Sequence, residues 1–126
     1  MTDPSVDALR RRLIEISDTL PFPVRTRAMM GSFIGYADEL PFVSLSPGGF
    51  GIKVEGAERD ELLARPGAQP MRHTPTDPPS KTYVTLAPSD IDDDELLQLW
   101  LTRAGRSARH RAAKKPRRSA TDPSKR

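Results

Sequence analysis

The sequence has no cysteine, one tryptophan, two tyrosines and two histidines in 126 residues. Without thiols there are no disulfides, thiolate nucleophiles or thiolate metal sites. That excludes redox chemistry by the chain itself and accords with a cytoplasmic protein. Aromatics make up 6% and hydrophobic residues 36% of the chain. These shares are low for a chain packed along its whole length, so part of it is expected to lie outside the core. No apolar run approaches the ~18 residues of a membrane span. The opening MTDPSVDALRRRLIEI lacks the basic-then-apolar order of a secretory signal. A soluble protein without a membrane partner is the expectation.

Charge is unevenly spread. The formal net charge of +3 conceals a segment, residues 106–126, with nine Lys or Arg against Asp122 alone, a balance of +8 that leaves −5 for residues 1–105. The stretch RHRAAKKPRR at 109–118 carries most of it. The length suits one domain. The chain therefore reads as an acidic domain over residues 3–105 followed by a disordered basic tail over 106–126, whose composition cannot bury enough surface to offset chain entropy.

Within the first part, Asp3-Pro4 reads as a helix cap, and Val6, Leu9, Leu13, Ile16 and Leu20 recur at helical spacing until Pro21 to Pro23 stop the helix. Arg10, Arg11 and Arg12 read as its solvated face. Met29 to Ala37, Phe42 to Leu45 and the alternating Phe50, Ile52 and Val54 read as three strands, with Ser46-Pro47-Gly48-Gly49 as a turn. Glu58 to Leu63 makes a short helix ended by Pro66-Gly67. Met71 to His73 and Lys81 to Leu86 are two further extended segments. A last helix is capped by Ser89 or Asp90, carries Leu97, Trp100, Leu101 and Ala104 inward, and closes at Gly105. The expected fold is α+β, a two-layer domain in the order α-β-β-β-α-β-β-α, with helices packed on a mostly antiparallel sheet.

The run RAMMGSFIGYADELPFVSLSPGGFGIKV, the later ARPGAQPM and the closing KTYVTLAPSDIDDDELLQLW resemble the N-terminal domain of the TfoX/Sxy competence regulators across roughly Arg25 to Ala104. Where that family has a Met-Phe-Gly-Gly-like segment, this sequence has Met29-Met30-Gly31-Ser32. Of a Gly-Lys-Met-Phe-like turn it keeps only Phe42. The resemblance implies a compact two-layer α/β domain that regulates transcription or competence through partners, and it brings no catalytic residues. It also implies a helical C-terminal domain in full-length members, in whose place this sequence has the basic segment.

Candidate chemistry is sparse. His73 and His110 lie far apart in the chain, and no nucleophile, base and orienting group stand in a recognisable pattern, so no catalytic residue and no enzyme are expected. The acidic run Asp90 to Glu95 fails the spacing of a calcium loop and reads as a helix start. Gly48, Gly49 and Gly51 lack the pattern of a phosphate loop and read as turn glycines. No metal or cofactor is expected.

Two surfaces remain. Arg106, Arg109, Arg111, Lys114, Lys115, Arg117 and Arg118 offer weak, non-specific affinity for DNA or RNA phosphates, and they also have the sign to fold back on the acidic body. Tyr36, Phe42, Arg72 and His73 are the candidate protein-interaction surface; Phe33 and Phe50 are further aromatic candidates, although aromatic residues in short strands are more often core. The expected function is a non-enzymatic regulatory or adaptor module acting through a protein partner, with auxiliary nucleic-acid affinity in the tail. The alternatives are a non-specific nucleic-acid-binding protein, or a small ligand-binding domain or enzyme with Arg72, His73 or Tyr83 converging on a pocket.

Overall fold

The computed structural model describes residues 4–72 and 76–114. In chain order the elements are helix α1 (Pro4–Ser17), strands β1 (Val24–Met29), β2 (Ser32–Ala37), β3 (Leu40–Ser46) and β4 (Gly49–Lys53), helix α2 (Gly56–Leu63), strands β5 (Gln69–Pro70) and β6 (Tyr83–Thr85), and helices α3 (Pro88–Ile91) and α4 (Asp94–Lys114). All pairings are antiparallel, in the order β1-β2-β3-β4-β6-β5. The architecture is α+β. Four strands rather than three precede α2, and two helices rather than one follow β6.

The extra strand comes from a turn that residue type does not announce. Met30 and Gly31 have φ of 48° and 84°, the two positive values of a type I′ hairpin, and Met29 pairs with Ser32 across them. Methionine seldom takes that conformation, so an apolar run read as one strand folds as two. Asp38 and Glu39, at φ 54° and 72°, repeat the device between β2 and β3.

Helices α1 and α4 cover one face of the sheet. Leu13, Val43, Leu45, Phe50, Ile52, Val84, Leu97 and Leu101 form the middle of a core between them. β3 supplies two consecutive residues to this core because the register slips there. Gly35 pairs with Val43 and Tyr36 with Pro41, which leaves Phe42 without a partner. A bulge of this kind turns adjacent side chains toward the same side, and Phe42 and Val43 are both fully buried.

The last helix does not close at Gly105. It continues to Lys114, and Ala108 extends the buried stripe of Leu97, Trp100, Leu101 and Ala104 by one more turn. Gly105 sits inside the helix because the Phe22 ring occupies the space a side chain would need. The position calls for a missing Cβ, not for a left-handed cap. The basic segment is therefore helical and packed at its start, and residues 115–126 lie outside the described residues. The cap of α4 is Asp93, whose carboxylate accepts the Leu96 amide at 3.1 Å; Ser89 and Asp90 belong to the separate α3. The Asp3 cap expected for α1 falls outside the described residues.

Arg12 is also more than a solvated charge. Its guanidinium donates to Ile91 O at 2.8 Å, Glu15 at 2.7 Å and Asp94 at 2.6 Å, tying α1 to α3 and α4. Among the described residues no helix is long and apolar enough to cross a membrane.

Candidate functional site

Among the described residues no helix packs on the second face of the sheet. Strand alternation decides what stands on it. Thr26 accepts a hydrogen bond from Arg10 of α1, and Gly35 and Val43 lie against Leu13, which fixes these positions on the helical side. Arg25, Arg27 and Met29, then Ser32 and Ile34, then Ser44 and Ser46, consequently face the other way. Lys53 and Tyr83 are paired on the same side.

The chain after β5 folds over part of this face. Met71 lays its sulfur against Gly51, where a Cβ would collide with it. Ser80 N–H donates to Met71 O at 2.7 Å and holds the return. Between this cover and the β1–β2 hairpin lies a groove of ≈ 650 Å³. Its walls are the thioethers of Met29, Met30 and Met71, the side chains of Ile34 and Pro47, the Tyr83 ring, and the hydroxyls of Ser32, Ser44, Ser46, Ser80 and Thr82. Among the described residues no carboxylate, imidazole or amine lines it, so none of these offers its serines a general base. Met30 stands 99% exposed at the hairpin tip and Met29 47% exposed beside it. Flexible, polarisable thioethers on an open surface suit adaptable apolar contact.

The face also differs in charge from the rest of the domain. The six strands contain Arg25, Arg27 and Lys53 and no Asp or Glu. Arg25 lies over the Tyr36 ring at 4.7 Å and makes a paired hydrogen bond to Glu39, which holds the Glu39 carboxyl below the usual carboxylate range. Burial pushes the Tyr83 phenol upward; the Tyr36 phenol adds to the shift and the Arg111 guanidinium opposes it. The carboxylates sit on the helices, turns and loops, where many are paired with arginines. Arg65 grips Asp90 at 2.7 and 2.9 Å, and Arg103 bridges Glu58 and Glu61. This accounts for part of the acidic run: Asp90 is in a buried ion pair, Asp93 caps α4 and Asp94 meets Arg12. Among the described residues no three His, Asp or Glu side chains gather as a metal site.

The chain matches the TfoX N-terminal domain model over residues 20–108. It belongs to the TfoX N-terminal domain family. Membership makes this a regulatory, competence-associated domain of a family not known for enzymes. No curated protein matches the sequence.

The residues singled out from the sequence are dispersed in this TfoX N-terminal domain. Tyr36 is half-buried on the open face, beneath Arg25. Phe42 is not a surface residue: the bulge turns it into the core, where it meets Phe22 edge-on at 5.6 Å. Phe50 is likewise core, and Phe33 lies under Arg10 at 5.0 Å. Arg72 is exposed and donates to Asp77 O at 3.2 Å, while His73 lies outside the described residues. Of the basic segment, Arg109 reaches Asp38 at 3.4 Å and Arg111 reaches Glu55 at 3.7 Å; Arg106 is exposed. The start of that segment is thus drawn onto the acidic body. Lys114 ends α4, and Lys115, Arg117 and Arg118 lie outside the described residues. Sequence reasoning did not find the groove. Met71 is far in the chain from Met29 and Met30, and no spacing rule links a hairpin tip to a loop crossing the sheet.

Proposed function

We propose that this domain is a non-enzymatic regulatory adaptor that works by docking a partner protein on its open sheet face, in the cytoplasm, with the basic C-terminal segment adding auxiliary affinity for nucleic acid. The observation that carries the reading is the uncharged, methionine-walled groove with Met30 fully exposed at its rim. Single exposed apolar side chains are ordinary on protein surfaces, but one bordering an apolar concavity marks an interaction site. The nucleic-acid contribution stays auxiliary because Arg109 and Arg111 are matched with carboxylates of the body.

Affinity purification with nuclease tests this. Full-length chain, chain ending at residue 114 and the Met30→Asp variant are compared. Met30→Asp sets a charge at the groove rim without touching the core, and Asp tolerates a positive φ. A protein partner retained after nuclease and truncation but lost with Met30→Asp is the expected result. Recovery of nucleic acid alone would overturn the adaptor reading.

A further inference from the structure

The two edges of the sheet are unlike. One is β5, two residues long and ending in Pro70, which has no amide to offer. The other is β1, six residues long, with its outer side unpaired among the described residues. The β1–β2 hairpin closes on a two-residue loop, so the pair Met29 and Ser32 exchanges both its hydrogen bonds and every second pair behind it does the same. The amides and carbonyls of Thr26 and Ala28 therefore point away from the sheet.

The same edge strand carries positive charge and no acid. Arg25 and Arg27 project from β1 onto the open face, and Arg10 reaches Thr26 from the other side. Glu39 answers Arg25; Arg27 has no ion-pair partner among the described residues. An acidic partner is drawn to this strand, which carries two arginines and no acid. At its end the edge runs into the uncharged groove through Met29.

We infer that β1 receives an extended segment of a partner protein as a seventh strand, with carboxylates at the alternate positions facing Arg25 and Arg27 and an apolar side chain beside Met29. This rests on the protein-docking reading and names the chemistry of the docked segment. Backbone pairing supplies the adhesion and the alternate side chains the selectivity. A polynucleotide would meet the arginines but leave the outward groups of Thr26 and Ala28 without a peptide ladder.

The probe is a capped synthetic heptapeptide that alternates glutamate with threonine and ends in isoleucine, titrated into the isotope-labelled full chain. Saturable shifts centred on β1, with slowed hydrogen exchange at the Thr26 and Ala28 amides, are expected. Binding should weaken roughly tenfold in Arg27→Glu and return when the glutamates of the peptide are replaced by lysine. Ala28→Pro removes an outward donor with every charge intact, and edge strands accept proline, so loss of binding in a folded Ala28→Pro chain isolates the backbone contribution. Equal binding of a peptide N-methylated at alternate positions, shifts confined to the helices, no saturation, or a single-stranded oligonucleotide taking the same edge more tightly would overturn the inference. If the peptide fails while Met30→Asp still abolishes partner capture, strand addition falls and groove docking stands. If both fail, the adaptor reading falls with it.

Discussion

The two faces of this sheet are made by the same strands and obey different rules. On the helical face Phe42, Val43, Leu45, Phe50 and Ile52 are sealed under α1 and α4, and a bulge is used to add one more aromatic ring. On the open face Ser44 and Ser46 are buried, but under a loop held by Met71, and beside them a groove is left uncovered. Burial on the first face follows from helices whose apolar stripes are continuous in sequence. Burial on the second depends on a chain segment crossing back over the strands. The first face supplies stability, and the second is where the proposed partner would be received without disturbing the core.

Substitutions across the sheet sharpen that contrast. Phe42→Ala should cost about 4 kcal/mol of unfolding free energy, because it removes a fully buried ring from a well-packed site; denaturant titration reads this directly. Asp90→Asn should cost about 2 kcal/mol at neutral pH, since it strips the charged partner from Arg65. The hydrogen bonds from Arg65 hold the Asp90 carboxyl below its ordinary value. The stabilisation is therefore complete above the usual aspartate pKa of about 3.9 and fades as pH falls through the lower folded value. The difference between native and Asp90→Asn chains should shrink accordingly in unfolding measured at descending pH. A difference that grew toward low pH would contradict the ion pair.

On the open face the effects should be small. Ile34→Ala, opposite Ser44 at the groove, should cost about 1 kcal/mol, its side chain being only partly buried. A loss as large as that of Phe42→Ala would show that both faces are structural and break the comparison. Smallest of all, Met30→Asn should raise stability by about 0.5 kcal/mol, since asparagine before glycine suits a type I′ turn better than methionine. A thermal scan checks it. If stability rises while partner capture falls, the methionine is retained for contact at the expense of the turn.

Much of the helical face was legible. Val6, Leu13, Ile16 and Leu20 announce α1 by their spacing, and Leu97, Trp100, Leu101 and Ala104 announce α4, because a continuous apolar stripe is a local property of sequence. The errors cluster where a distant residue decides. Gly105 looks like a helix end until the Phe22 ring is placed against it. Phe42 follows strand alternation only until the register slip is known. Arg12 looks solvated until folding brings Ile91 and Asp94 to it. On the open face almost nothing was legible beyond Tyr36 as a surface candidate.

By itself the sequence determined the α+β class, the helical stripes, the resemblance to the TfoX N-terminal domain and the division of charge between body and C-terminal segment, all of which depend on residues near one another in the chain. Tertiary structure alone decided that the basic segment begins as packed helix, that Arg25 and Arg27 share the open face with the groove, and that Met71 borders that groove with the distant Met29 and Met30. The reason is physical: periodicity and composition act over a few residues, whereas a sheet face is assembled from strands whose neighbours in space are set by pairing, register and the loops that cross them.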